Sequence, residues 1–328
     1  MFLSILWLVL ALALLTFGGS ILIRGATVIA RRMGLSSFFI GLTIVGFGTS
    51  TPELTTSLIA ALQGSGDIAI GNVVGSNIFN IAIILGVTAI IAPIPVLLRT
   101  VRDEVWWVIA AACLPWFAFL QDGTIGRLAG TLMVAALFAY IAIGYRKARR
   151  ESDPQLARAV ACEVAVEQGV APTARPSLVK GITFSLLGLV VLIGASRILV
   201  TSATDIALSF GVSELVIGLT IVAAGTSMPE LVTSIIAALR RQSEIAVGNI
   251  LGSNVFNILG ILGITCIVTP QGVTPQTLYL DTPVMFLASV ALLPIVMTGS
   301  RISRTEGIIL IVGYIIYVLA ILNLGIIR

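Results

Sequence analysis

Apolar residues run along this chain about twenty at a time, and short clusters of Gly, Pro, Asp, Gln and Arg separate each run from the next. A run of that length, coiled as an α-helix, crosses a hydrocarbon core of about 30 Å. Turn residues and charges divide the material into ten spans, near 2–30, 37–62, 68–91, 104–120, 126–146, 178–204, 213–239, 245–268, 279–299 and 306–325. The runs are continuous rather than alternating, which argues against a transmembrane β-barrel. The expected fold class is therefore all-α, a polytopic membrane protein of ten transmembrane helices. The one long polar stretch is 149–177, where Asp153-Pro154 is a helix-start signal and an Ala-rich centre could form a short surface helix. The plainer reading is a solvated cytoplasmic linker. Residues 1–25 lack a basic leader and their apolar run is too long for a signal peptide, so they form the first span.

The second strong pattern is an internal repeat. Laid over 218–263 without a gap, 177 residues on, the segment 41–86 is identical at 30 of 46 positions. Each half then has five spans: 1–148 is one repeat, 149–177 the linker and 178–328 the other repeat. Five is odd, so the second repeat enters the membrane inverted. Charge gives an independent test. With the N-terminus outside, the cytoplasmic loops collect nearly all the basic residues, Arg31, Arg32, Arg240 and Arg241 among them, and only Arg127 and Arg328 fall outside. Arg24 and Arg197 lie within spans.

Composition narrows the function. Of 328 residues, 58% are apolar and 10% charged, with a mean hydropathy of +1.10; a soluble domain carries about 25% charged residues. There is no histidine, which removes the commonest transition-metal ligand. Cys113, Cys162 and Cys266 are far apart, without metal spacing. No GxxxxGK[ST] loop is present to drive an ATP pump, and no enzyme chemistry or cofactor is expected. The net charge of +4 follows from topology and does not call for nucleic acid.

Thirteen of the fifteen acidic residues fall in loops or near span ends. The exceptions are Glu53 and Glu230, which occupy the same place in the two repeats. A carboxylate at mid-membrane costs roughly 2.5–3.5 kcal/mol on insertion scales, so two at equivalent positions imply a site. Pro52 and Pro229 each remove a backbone donor and crowd the carbonyl four residues earlier. The helices should break just before the glutamates and free carbonyls around 46–49 and 223–226, Gly46 and Ala223 included. Thr49, Ser50, Thr226 and Ser227 add hydroxyls at the breaks. Farther on, GNVVGSNIFN and GNILGSNVFN set Ser76 with Asn80, and Ser253 with Asn257, four apart on one helical face. Asn72, Asn77, Asn249 and Asn254 lie on other faces and read as helix–helix hydrogen bonds, and the GxxxG pairs Gly71/Gly75 and Gly248/Gly252 as close helix contacts. A donor set made only of oxygens suits hard cations, Ca2+ before Mg2+, and Na+. Two carboxylates balance one divalent ion or two monovalent ones, which is a physical basis for exchange.

The motifs GTSTPEL and GTSMPEL, with GNVVGSNIFN and GNILGSNVFN in opposed halves, resemble the α-repeats of the cation/Ca2+ exchanger superfamily, specifically the prokaryotic sodium/calcium exchanger type. The resemblance covers the whole ten-span layout. It implies that the second, third, seventh and eighth helices enclose the ion sites, while the first and sixth slide across them. Its implied ligands are Thr49, Ser50, Glu53, Ser76 and Asn80, then Thr226, Ser227, Glu230, Ser253 and Asn257, with the carbonyls of Gly46 and Ala223. Several relatives have aspartate where this chain has Asn257, so a K+-independent exchanger is implied. The proton-coupled branch usually has a glutamate in the GN motif, which is absent here and tilts coupling toward Na+. The expectation is a Ca2+/Na+ antiporter, functional as a monomer in a prokaryotic inner membrane. Ca2+/H+ exchange is the nearer alternative and a cation channel the more distant one.

Overall fold

The computed structural model describes residues 2–96, 98–120, 122–150, 177–210, 223–297 and 301–326. Residues 151–176 of the expected linker, with its short helix, and the start of the seventh span lie outside them. Two long helices open the halves, α1 (Phe2–Met33) and α9 (Leu178–Ser209). Gly34, at φ 63, turns the chain after α1, a conformation that costs a side chain but not glycine. Ser36 caps the next helix by accepting from the Phe39 amide. That helix runs as α2 (Ser37–Ile40), a π-helical stretch (Gly41–Val45) and α3 (Gly46–Thr49), and resumes after Ser50 as α4 (Thr51–Leu62).

The next span is α5 (Gly66–Phe79), a π-helical stretch (Asn80–Leu85) and α6 (Gly86–Ile91). Helix α7 (Leu98–Ala112) continues as a 3-10 segment (Leu114–Leu120), and α8 (Arg127–Arg150) ends the half. The second half gives α10 (Ala223–Thr226), α11 (Met228–Leu239), α12 (Ser243–Phe256), a π-helical stretch (Asn257–Leu262) and α13 (Gly263–Val268). It ends with a π-helical stretch (Thr277–Asp281), α14 (Thr282–Met297) and α15 (Arg304–Ile326).

Among the described residues, seven helical stretches are long and apolar enough to span a membrane, against the ten expected. The shortfall has physical causes. The second and seventh spans are cut at Ser50 and Ser227, and the shorter apolar helices described there are Ser37–Thr49 and Met228–Leu239. The fourth span passes from α-helix to the 3-10 segment, which leaves α7 only 15 residues long. Burial sorts the spans by depth: Ser243–Val268 and Gly66–Ile91 are the most enclosed, whereas α1, α9 and α15 turn apolar side chains such as Leu6, Val190 and Ile316 outward. Every backbone group in hydrocarbon must be paired internally, and helices meet that demand.

Two short ladders join the halves. Strand β1 (Ile94–Pro95) pairs antiparallel with β4 (Arg301–Ile302), and β2 (Thr124–Ile125) with β3 (Gln271–Gly272). Shifting Ile94↔Ile302 by 177 in opposite senses gives Gln271↔Ile125, which is the register of the other ladder. The interval read from 41–86 therefore extends to 125 and 302. A turn also obeys it: Gly64 (φ 78) and Arg241 (φ 58) are both left-handed, although the arginine incurs about 1–2 kcal/mol that glycine avoids.

Candidate cation site

Glu53 and Glu230 stand in the first turns of α4 and α11, directly after Pro52 and Pro229, and each is only 1% exposed. Proline suits a first helical turn because the amide it lacks would have no partner there. The turns before them are bent at a single residue each, Ser50 (φ −79, ψ 10) and Ser227 (φ −89, ψ 7). Those two serines reach across. The Ser50 hydroxyl donates to Glu230 Oε1 at 3.0 Å and the Ser227 hydroxyl to Glu53 Oε1 at 2.8 Å. Each carboxylate is thus held by the other half's break.

A second pair of bonds fixes the helices behind them. Asn72 Nδ2 donates to the Glu53 carbonyl at 3.3 Å and to Ser57 Oγ at 2.9 Å. Asn249 Nδ2 does the same to the Glu230 carbonyl at 3.2 Å and Ser234 Oγ at 2.9 Å. These two asparagines are helix–helix ties, as expected, and Asn249 Oδ1 also accepts from Thr49 at 3.2 Å. Thr226 lies within reach of the Glu53 carboxylate. Asn80 and Asn257 each begin a π-helical stretch, where an extra residue per turn re-aims the side chain. Asn257 donates to Asn77 Oδ1 at 3.4 Å. Ser76 is buried one turn before Asn80.

The expected release of backbone carbonyls takes a narrower form. The Gly46 carbonyl accepts from the Ser50 amide at 3.2 Å, from Thr49 Oγ1 at 3.3 Å and from Ser253 Oγ at 3.2 Å. The Gly48 carbonyl, whose amide partner Pro52 lacks, accepts from Thr51 Oγ1 at 2.8 Å. The Gly225 carbonyl accepts from Ser196 of α9. Hydroxyls take up what proline frees, so each break is confined to one residue. Ala223 heads α10.

Four of the site's buried acceptor oxygens have no hydrogen-bond partner among the described residues: Glu53 Oε2, Glu230 Oε2, Asn80 Oδ1 and Asn257 Oδ1. An orphaned buried acceptor costs about 1–3 kcal/mol, and more when charged. No Lys or Arg forms an ion pair with either glutamate among the described residues, so Arg24 and Arg197 do not neutralise them. Nor is any group of three His, Cys, Asp or Glu gathered there. The donor set is two carboxylates with amide and hydroxyl oxygens. Such a set suits a hard cation.

The 177-residue interval also relates two pairs that reading 41–86 against 218–263 leaves out. Tyr317 donates to buried Asp281 at 2.9 Å, and buried Tyr140 is set against buried Glu104. Extending the comparison downstream would have found them, since acid matches acid and tyrosine matches tyrosine through apolar sequence that has drifted.

A model of the sodium/calcium exchanger protein family matches residues 3–146 and again 180–323. The chain belongs to the sodium/calcium exchanger family. Over 97% of its length it is 37% identical to a putative antiporter, CaxA, of Alkalimonas amylolytica, covering 98% of that protein. It is 31% identical to the sodium/calcium exchanger MaX1 of Methanosarcina acetivorans, with 97% and 98% covered. Among solved structures it resembles the sodium-calcium exchanger NCX_Mj soaked with zero Na+ and Ca2+, at a TM-score of 0.81 and 28% identity over 98% of this chain and 99% of that one. Members of the family are integral membrane transporters of Ca2+ and Na+ rather than enzymes, and this chain has their fold.

Proposed function

We propose that this chain exchanges Ca2+ for Na+ by alternating access, without K+, at a site centred on Glu53 and Glu230. The observation that carries the reading is the reciprocal lattice. Each glutamate spends one carboxylate oxygen on a serine of the opposite half and keeps the other oxygen free in a buried place. Two negative charges enclosed together repel strongly at low dielectric, and cargo of total charge +2 relieves them. One Ca2+ does so, and so do two Na+. Thr49, Ser50, Ser76, Asn80 and the Gly46 carbonyl complete the ligand set on one side; Thr226, Ser227, Ser253, Asn257 and the Ala223 carbonyl complete it on the other. Asn257 contributes an amide and no third charge, which favours independence from K+.

The shift symmetry of the ladders and of the hydrogen bonds supports two inverted five-helix repeats, 1–148 and 178–328, of ten helices in all. The proposed molecule works as a monomer in a prokaryotic inner membrane, with its N-terminus outside and 149–177 in the cytoplasm.

The test is uptake of radioactive Ca2+ into vesicles containing the purified chain. An outward Na+ gradient should drive uptake with or without K+, and a pH gradient alone should not. Uptake driven by the pH gradient alone would replace Na+ with H+ as the coupling ion. Flux that fails to saturate would favour a channel.

A further inference from the structure

Between α1 and the end of α11 lies a groove of about 560 Å³ lined by Phe17, Ile21, Thr16, Arg24 and Arg240, with neither glutamate in its lining. We propose that it binds an anionic phospholipid, whose phosphate sits between Arg24 and Arg240 while an acyl chain lies along Phe17 and Ile21. Thr16, Phe17, Ser20 and Arg24 recur along α1 at helical spacing and so form one outward face. Thr16 and Phe17 are exposed, and so is Arg24, which makes no ion pair among the described residues. An exposed guanidinium within an otherwise apolar helix surface extends toward headgroup level, where phosphate is the available counter-ion. Arginine suits phosphate because its planar fork can donate two parallel hydrogen bonds.

The second arginine comes from a different helix. Arg240 follows α11 and donates to the Ser20 carbonyl at 3.3 Å, while Thr27 of α1 donates to Gln242 at 3.3 Å. The groove is thus the place where α1 is tied to the end of a site helix, and a phosphate held by both arginines tightens that tie. The repeat gives this feature to one half only. Positions 201 and 63, equivalent to 24 and 240, are Thr and Gln. The ion-site residues are duplicated while the arginine pair is not, so the groove belongs to one half alone.

The experiment is native mass spectrometry of the detergent-solubilised full chain titrated with phosphatidylglycerol, phosphatidylcholine or inorganic phosphate. Wild type, and Arg146→Gln as an exposed-arginine control, should retain one phosphatidylglycerol in preference to phosphatidylcholine. Arg24→Gln and Arg240→Gln should each lower that occupancy roughly five-fold, the effect of one basic residue near a lipid phosphate. Equal retention by Arg24→Gln and wild type would overturn the proposal. So would equal retention of phosphatidylcholine, or displacement of the lipid by millimolar inorganic phosphate, which would indicate a free-anion site.

Discussion

Glu53 and Glu230 are anchored through Oε1 and open at Oε2, so a carboxylate-to-amide change separates charge from shape. Glu53→Gln and Glu230→Gln should each cut Na+-driven Ca2+ uptake at least about 100-fold, because a lone buried charge no longer matches the cargo. They should also melt no lower than wild type in the absence of Ca2+, since they relieve carboxylate burial worth roughly 2.5–3.5 kcal/mol. Differential scanning fluorimetry checks the sign, and undiminished counterflow in the double variant would falsify the site. The downstream tyrosine gives a second test. Tyr317→Phe strips a hydrogen bond from buried Asp281 and should cost about 1–3 kcal/mol. An unchanged melting temperature in Tyr317→Phe would contradict this cost.

Among the helices, close packing depends on residues without side chains at a few crossings. A Cβ at Gly248 would lie 2.5 Å from the Phe38 carbonyl, and one at Gly252 would run into the Leu42 carbonyl. Backbone cannot yield as a side chain can, so Gly252→Ala should destabilise by at least about 2 kcal/mol and lower the yield of folded protein. Gly313→Ala on α15, with nothing near its Cβ, should be neutral or slightly stabilising in the same assay. The GxxxG reading thus holds for the second pair; for Gly71 and Gly75 no described atom lies within 4 Å of an added Cβ. Helix breaks were legible from Pro52 and Pro229, but their tightness was not. Sequence shows the missing donor and leaves open whether Thr51 or Ser196 will replace it, because a hydroxyl's partner depends on tertiary approach.

For the molecule as a unit, the apolar runs and the duplicated motifs carried most of the fold, and the two buried acids marked the centre of the candidate site. What escaped was the far end of each half. Lipid-facing positions accept any apolar residue, so identity decays there while hydrogen-bonded contacts persist. Glu104 and Asp281, Tyr140 and Tyr317, and the strands at 94–95 and 271–272 keep the interval through sequence that otherwise looks unrelated. Backbone breaks are also hidden from hydropathy, and among the described residues seven stretches remain long and apolar enough to span. A run of hydropathy does not reveal a one-residue bend at Ser50, nor the passage of α7 into 3-10 geometry.

The crossed ladders have a consequence for biosynthesis. Each half finishes its rim strands only by borrowing a partner from the other, since β1 is completed by β4 and β2 by β3. Polypeptides 1–150 and 177–328 made separately should therefore be degraded when expressed alone, yet accumulate and copurify when expressed together. Covalent continuity would then serve mainly to deliver both pieces to one place, much as a hinge pin keeps two leaves of a clasp from being mislaid.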